Sequence, residues 1–467
     1  MLTLGSIARD ASYAANIRVR HEIIRTIASD RRAHDACVTR RVAWFLTHVA
    51  TAGRDRAGGI ARALGRRSPS LEHLPTTSKS TLRARADAVR RDPASPPPQR
   101  LWWTDATPYP AGDVYPEPEA GPQRLWWADT SGSTGQPLTM VFDRRYFLSY
   151  FAHWLHFLDV HALEPQPYAL SQLHVVGGPH RKSRSCELLQ PVAGYSLYRR
   201  INVERGRRRS AAALVRATTE ESPDVLSGTP TRLDQFVALL TERPPAGRFA
   251  PRLVTSTAEA LLPVTRARFE DFFRAPVFNQ YGLTEAGGVI ARECRMHDGF
   301  HVLSPDYVVE VVDADGHRVP DGTEGEIAIT NLESRLVPVV RYRTGDFGTV
   351  TRLPCRCGLV TPRIARLAGR TITRFRLPDG RTVSPFDEFG PVIGELPLDQ
   401  FQMVQTAPCE VVLSYTSAAP VDDLPAAAAL RERVRSLFGD GARCRLVRVR
   451  AFARGRKFES WLNRGND

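Results

Sequence analysis

Thr130-Ser131-Gly132-Ser133-Thr134-Gly135-Gln136-Pro137 follows a short apolar run, Leu125-Trp126-Trp127-Ala128. Glycine turns the chain without a Cβ clash and lets a ligand come close to the backbone. Successive amide N–H groups in such a loop form an anion-binding concavity. The hydroxyls of Thr130, Ser131, Ser133 and Thr134 add further donors, so the stretch suits a nucleotide phosphate. No Gly-Lys-Ser/Thr completes it, so it is not a P-loop. The same composition also makes a flexible turn, and the rest of the chain has to decide between the two.

Three more stretches follow in order: Tyr281-Gly282-Leu283-Thr284-Glu285, Arg341-Tyr342-Arg343-Thr344-Gly345-Asp346 and Gly455-Arg456-Lys457. Taken with residues 130–137, this ordered set resembles the adenylate-forming enzymes, the acyl- and aryl-CoA synthetase superfamily, and in particular their phenylacetate–CoA ligase branch. Leu74-Pro75-Thr76-Thr77-Ser78-Lys79, Leu226-Ser227-Gly228-Thr229-Pro230-Thr231, Thr255-Ser256-Thr257-Ala258-Glu259 and Pro338-Val339-Val340 resemble the same branch. The resemblance covers residues 70 to 460.

It implies ATP-dependent activation of a carboxylic acid, aromatic or arylacetic, to an acyl-adenylate, with transfer to CoA. ATP, Mg²⁺ and CoA are the implied cofactors. Thr130, Ser131, Gly132, Ser133, Thr134 and Gly135 would hold phosphates, and Ala258, Glu259, Tyr281 and Gly282 would form the adenine site, Tyr281 stacking on the base. Thr284 would contact the α-phosphate and Glu285 would bind Mg²⁺, a hard cation that prefers oxygen. Asp346 would accept both ribose hydroxyls, Arg370 would reach ribose and phosphate, and Lys457 would bridge carboxylate and α-phosphate in the transition state. The plain alternatives are a core tyrosine, surface carboxylates and a solvated tail lysine. Two positions depart from the pattern: Gln136 stands where many relatives have lysine, and Thr371-Ile372-Thr373 lacks the acidic hinge residue. They keep open an amine or a carrier-protein thiol as acceptor, or a degenerate nucleotide-binding homologue.

Cys294 and His301 flank residues 295–300, which read as a hairpin turn, and Cys355-Arg356-Cys357-Gly358 lies downstream. Three thiolates and an imidazole can close a tetrahedral zinc site. Some members of the resembled branch carry a structural zinc in such an arrangement. His297 is the alternative nitrogen ligand, and free cysteines in loops are the alternative to a metal. Cys37, Cys186, Cys409 and Cys444 read as ordinary thiols, and the odd count of 7 implies no disulfide framework.

A chain of 467 residues buries more than one core. The expected class is α/β: a large N-terminal adenylation domain with mixed β-sheets and packed helices, residues 1–368, of which 1–70 form a helical leader. A small mobile α+β C-terminal domain, 369–467, follows. Ile17, Ile24 and Ile27 form one helical stripe, and Val38, Val42, Phe45 and Val49 another. Strands are expected at 138–142, 170–176, 225–227 and 253–256, and helices at 144–160, 230–241 and 263–273. Hairpins are expected over 307–331, with Asp313-Ala314-Asp315-Gly316 and Pro320-Asp321-Gly322 as turns. After Gly369 the pattern reads strand–turn–strand, a strand at 410–415, a helix at 425–438 and a strand at 444–449. Pro98-Gln99-Arg100-Leu101-Trp102-Trp103 recurs as Pro122-Gln123-Arg124-Leu125-Trp126-Trp127, a duplication suited to two short strands. Tyr150, His153 and Trp154 are expected near the acyl pocket.

The net charge of +14 comes mainly from dispersed arginine, with runs such as Arg205-Gly206-Arg207-Arg208-Arg209. Without aromatic interleaving this reads as a solvated face, not a nucleic-acid site. No apolar run reaches membrane-spanning length, and Arg9, Asp10, Arg18 and Arg20 interrupt any secretory leader. The expected location is cytoplasmic, with small-molecule partners, no membrane or nucleic acid, and a homodimer as the one assembly considered.

Overall fold

The two apolar stripes fold as helices α1 (Ala11–Ile27) and α2 (Arg31–Thr51). Ile17, Ile24, Ile27, Phe45 and Val49 are buried, as a 3.6-residue period requires of one face. This is a computed structural model, and it describes residues 11–51, 60, 70–92, 99–100, 126–130, 138–142, 144–163, 170–176, 184–190, 194–203, 223–242, 244, 249–370, 374–398, 400–450, 452 and 460–464. Residues 131–137, the hinge 371–373, the arginine run 205–209 and Lys457 lie outside the described residues. So do the copies of the tryptophan pair at 102–103 and most of the proline-rich stretch 93–125.

Helix α3 (Lys79–Arg91) starts where the Ser78 hydroxyl accepts the Thr81 N–H at 3.2 Å, a side-chain cap. Helices α4 (Arg144–Val160), α5 (Pro230–Glu242), α6 (Pro263–Phe273), α7 (Pro385–Gly394) and α8 (Pro425–Phe438) follow. Proline opens each of the last four, its fixed φ suiting the first helical position. Leu233, Phe236 and Leu240 of α5 and Phe269 and Phe273 of α6 share a core with Leu226, Val254 and Val277 of the strands beneath.

One sheet dominates. Its strands, in spatial order, are Tyr307–Val312, Gly325–Asn331, Val339–Thr351, Arg363–Arg370, Phe300–Val302, Gly288–Glu293, Val277–Leu283, Leu253–Thr257, Val225–Gly228, Leu170–Val176, Gly194–Asn202 and Arg184–Gln190. From 277–283 through 194–202 every pairing is parallel. From 277–283 to 307–312 every pairing is antiparallel. The strand Val277–Leu283 is where the two halves meet. Strand Arg363–Arg370 continues the sheet past residue 368.

A separate small sheet pairs Trp126–Asp129 with Gln99–Arg100 in parallel and with Thr139–Phe142 in antiparallel. The expected duplication thus forms neighbouring strands, with Gln99 beside Trp126 and Arg100 beside Trp127. Near the C-terminus a four-stranded sheet runs Arg443–Arg448, Glu410–Thr416, Gln400–Ala407, Trp461–Asn463. It shares its own core with α7 and α8, built from Phe375, Phe389, Met403, Tyr415, Leu430 and Trp461. Helix α7 stands in a stretch where the sequence was expected to form only strands and a turn. Gly390 and Gly394 are there because a Cβ would come within 2.9 Å of Leu262 and 2.5 Å of Val264 respectively, at the start of α6.

A buried ion network fastens the first helices to the sheet. Asp306 accepts hydrogen bonds from Ser149 at 2.5 Å and from His153 at 3.0 Å. Arg41 lies 2.7 Å and Arg20 3.5 Å from the same carboxylate. Glu333 completes the square, 3.0 Å from Arg20 and hydrogen-bonded to Arg41. Burial alone would push the Asp306 carboxyl up, but the Arg41 and Arg20 guanidiniums and His153 outweigh it and hold it well below the usual range.

Candidate active site at the parallel-to-antiparallel switch

Ligands of open α/β sheets bind in the crevice outside the carboxyl ends of the parallel strands. Three of the quoted motifs end there side by side. Gly228 pairs with Ser256, and Thr257 pairs with Gln280, so the segments after residues 228, 257 and 283 leave adjacent strands together. Ser227 and Thr255 hydroxyls touch at 2.7 Å, and Thr257 donates to the Gln280 carbonyl at 3.2 Å. Ala258 then takes a left-handed φ of 66°, which costs a non-glycine residue about 1–2 kcal/mol. Such strain clusters at binding sites. Glu259 accepts the Thr231 N–H at 3.0 Å, capping one of the open amides of α5.

Gly282 sits where the strand turns back on Gly288–Glu293. A Cβ there would lie 2.5 Å from the Gly288 carbonyl oxygen, so only glycine permits this approach. Thr284, Glu285 and Ala286 form a single 3₁₀ turn. Asn331 anchors it by donating to the Ala286 carbonyl at 2.9 Å. Glu285 is nearly buried, yet Lys79 at the start of α3 brings its ammonium to 3.6 Å. A cation thus already faces the carboxylate that was expected to hold a metal.

Asp346 arrives from the antiparallel half. Four ladder steps separate its strand from Val277–Leu283, about 19 Å in a flat sheet. The Tyr281 hydroxyl nevertheless donates to Asp346 at 2.8 Å, so the sheet curls to bring them together. Glu326 fixes the preceding turn, bonding Arg343 at 2.6 Å and the Gly345 N–H at 2.9 Å. Asp346 pairs with Arg370 across the ladder. Replacing Tyr281 by Phe removes the hydroxyl from a buried carboxylate. The expected loss is about 1–3 kcal/mol of unfolding free energy, read as a lower urea midpoint.

The remaining motifs are joined to this centre by backbone. Thr77 donates to the Arg341 carbonyl at 2.9 Å and accepts from Arg343 at 3.0 Å. The 74–79 and 341–346 segments are therefore one unit. Arg341 is buried and pairs with Glu310 at 3.1 Å. Thr130 closes the ends of the Gly/Ser/Thr stretch: its N–H donates to the Leu138 carbonyl and its hydroxyl accepts the Leu138 N–H, both at 2.9 Å. Ser131, Gly132, Ser133, Thr134 and Gly135 themselves fall outside the described residues, as does Lys457, and no side-chain position is described for Arg370. His153 is committed to Asp306, and Trp154 lies under the Arg292 guanidinium at 5.2 Å, so both are spent on packing. Lys79 reaches Glu285 across a 206-residue separation that no local pattern reveals.

The cysteine and histidine constellation assembles. One ligand atom each from Cys294, His301, Cys355 and Cys357 lies within 4.8 Å of the others. The Cys294 and Cys355 sulfurs are 3.8 Å apart, the spacing that 2.3 Å bonds impose around tetrahedral zinc, about 3.8 Å. Amides of Met296 and Leu359 donate to Cys294 and Cys357 sulfurs at 3.4 and 3.5 Å. His301 engages the Thr361 hydroxyl through Nδ1 at 2.9 Å and turns Nε2 to Cys357 at 3.4 Å, an oriented ring of the kind metal sites use. His297 is elsewhere, exposed and stacked on Phe278. Burial pushes the Cys357 thiol up to about 12, a state that a bound dication would reverse.

A model of a family described as AMP-binding enzyme matches residues 72–332. The phenylacetate–coenzyme A ligase of Thermus thermophilus is 32% identical over 117 residues, 24% of this chain and 26% of that protein. That of Aromatoleum evansii is 34% identical over 117 residues, again 24% and 26%. These matches span about a quarter of either relative. Among solved structures, a 2-hydroxyisobutyryl-CoA ligase in its postadenylation state with R3-HIB-AMP superposes with a TM-score of 0.63 at 18% identity, covering 94% of this chain and 90% of that one. An anthranilate CoA ligase in complex with anthranoyl-AMP gives 0.51 at 14%, covering 73% and 67%. At such identities the likeness establishes the fold, a mixed α/β architecture shared with these ligases.

Proposed function

This chain belongs to the AMP-binding enzyme family, and we propose on that premise that it activates a carboxylic acid with ATP and passes the acyl group to CoA. A carboxylate oxygen attacks the α-phosphorus, and the bond to pyrophosphate breaks. The CoA sulfur then attacks the acyl carbon, and AMP leaves with the bonding electrons. An aromatic or arylacetic acid is the favoured substrate, in line with the phenylacetate–coenzyme A ligases it is similar to.

The contact between Tyr281 and Asp346 carries this reading. A base and its ribose are joined by one bond, so the residues that receive them must be neighbours. In the proposed roles Tyr281 stacks on adenine, Ala258, Glu259 and Gly282 line its pocket, and Asp346 holds the ribose hydroxyls. Thr284 meets the α-phosphate, Thr130 and residues 131–135 hold the outer phosphates, Arg370 reaches ribose and phosphate, and Lys457 offsets charge repulsion in the transition state. Glu285 is the oxygen donor for Mg²⁺, which would neutralise phosphate charge. Lys79, beside it, supports the same anions. Residues 1–368 form the adenylation domain and 369–467 a small mobile one, a division supported by the separate core of Phe375 to Trp461. No described helix is long and apolar enough to cross a membrane. The working partners are small molecules in the cytoplasm, with or without a second copy of the chain.

The test is carboxylate-dependent exchange of pyrophosphate into ATP across a panel of acids, followed by acceptor assays with CoA, a pantetheinyl carrier protein and amines. Exchange driven by no acid sinks the reading; exchange without CoA thioester moves the acceptor, not the first step.

Cys294, His301, Cys355 and Cys357 hold a structural zinc ion in this proposal, supported by the sulfur spacing and the amide-to-sulfur bonds. The ion would pin the hairpin 288–302 to the turn after 351 and take no part in the chemistry. Purified Cys355→Ser is expected to carry one zinc fewer per chain than the parent by elemental analysis. Equal zinc in both proteins would refute the assignment.

A further inference from the structure

Helices α1 and α4 pack against each other and bring three ligand-type side chains to their seam. His21 Nε2 lies 2.6 Å from Asp159 Oδ2. His156 is three residues before Asp159, on the same face of α4. One ligand atom from each of His21, His156 and Asp159 lies within 4.8 Å of the other two. His156 Nδ1 is buried and has no hydrogen-bond partner among the described residues. A buried polar atom left so costs about 1–3 kcal/mol.

An ordinary His21–Asp159 ion pair explains two of these groups and leaves the third without a purpose. A cation uses all three. We propose that His21, His156 and Asp159 form a second cation site, separate from the thiol cluster, for a first-row divalent ion, with Zn²⁺ favoured. Two imidazoles and one carboxylate are borderline ligands that suit Zn²⁺ more than Mg²⁺ or Ca²⁺. Bonds of about 2.0–2.2 Å at tetrahedral angles place ligand atoms about 3.3 Å apart. The His21–Asp159 contact must therefore open and the widest separation close, both within reach of side-chain rotation. Three protein ligands leave a fourth position for water, and the Asp159 side chain, 35% exposed, gives the ion an entry path. The ion would clasp α1 to α4 beside the Asp306 network. This inference stands on its own, whatever the enzyme's substrate.

The test uses the full chain, stripped by a chelator, given one equivalent of Zn²⁺ and then titrated with Co²⁺. The expected result is one further equivalent of Co²⁺ with visible d–d absorption and none of the sulfur-to-metal charge-transfer bands of a thiolate site. That spectrum reports this site however full the thiol cluster is. His156→Ala and His21→Ala should each weaken the binding more than about 10-fold, since losing even an outer partner costs that much. Zn²⁺ in excess should raise the thermal midpoint of the parent and shift these variants less. Asp159→Asn, at the exposed edge, serves where His156→Ala fails to fold. The site is refuted if the parent binds no sulfur-free Co²⁺, or if the folded variants bind it as tightly as the parent.

Discussion

Glu285→Ala is expected to lower carboxylate-dependent ATP–pyrophosphate exchange by about 10²–10³-fold, the usual cost of removing one fixed electrostatic partner of the transition state. The carboxylate is nearly buried on a turn held by Asn331, so it cannot be replaced by a neighbour that swings in. Its loss also leaves the Lys79 ammonium without the counter-charge 3.6 Å away. Both effects fall on the step in which phosphate charge is redistributed, so kcat should drop more than the ATP KM rises. Glu285→Gln keeps the shape and the turn while removing the charge. It should be impaired nearly as much, and excess Mg²⁺ should rescue it only in part. Exchange within threefold of the parent in both variants would remove Glu285 from the metal-binding role and weaken the whole reading of residues 281–285.

The parts of this molecule that were legible in the sequence are those governed by local rules. The stripe of Ile17, Ile24 and Ile27 marks a helix whatever its partners, and the short apolar runs that form Val225–Gly228 and Leu253–Thr257 read as buried strands, though their parallel pairing does not show in the sequence. The hairpin joining Cys294 to His301 was readable because residues 295–300 are turn-rich and their flanks apolar. Helix α7 was missed although Phe386, Phe389 and Ile393 recur at helical spacing, because Gly390, Pro391 and Gly394 among them read as helix breakers. Its start was marked all the same: Ser384 caps the Asp387 N–H, Pro385 follows, and Asp387 and Glu388 fill the first turn.

At the site the split is similar. Glycine at 282 and the acid at 346 are chemically conspicuous, and order along the chain tied them together. That Tyr281 touches Asp346 depends on how far the sheet curls, which no motif encodes. Lys79 beside Glu285, and Arg20 and Arg41 around Asp306, are likewise products of tertiary approach. His153 illustrates the opposite error: a histidine on an aromatic helix suggests a pocket, but burial and a waiting carboxylate made it part of the scaffold.

That scaffold yields the second large effect. Asp306→Ala is expected to cost about 3–5 kcal/mol of stability, because it strands Arg20, Arg41 and His153 around a vacated charge. The carboxyl is held below its ordinary range in the folded chain, so its contribution is complete above the unfolded value of about 3.9. It is lost as pH falls beneath that value, because the unfolded chain then takes up a proton that the folded chain refuses. Urea midpoints of the parent should therefore fall steeply below about pH 4, and those of Asp306→Asn, a milder variant that cannot titrate, should fall less. Two carboxylates, Asp306 and Glu333, face two guanidiniums, so Glu333→Gln should lower the urea midpoint less than Asp306→Ala does. Because helix α4 donates Ser149 and His153 to Asp306, and α1 and α2 donate Arg20 and Arg41, the transition lost in Asp306→Ala should include all three helices. Hydrogen exchange would read this as faster exchange across α1, α2 and α4 together. Protection in α1 and α2 unchanged by the substitution, with a stability loss under about 1 kcal/mol, would show that apolar packing and not the ion network secures them.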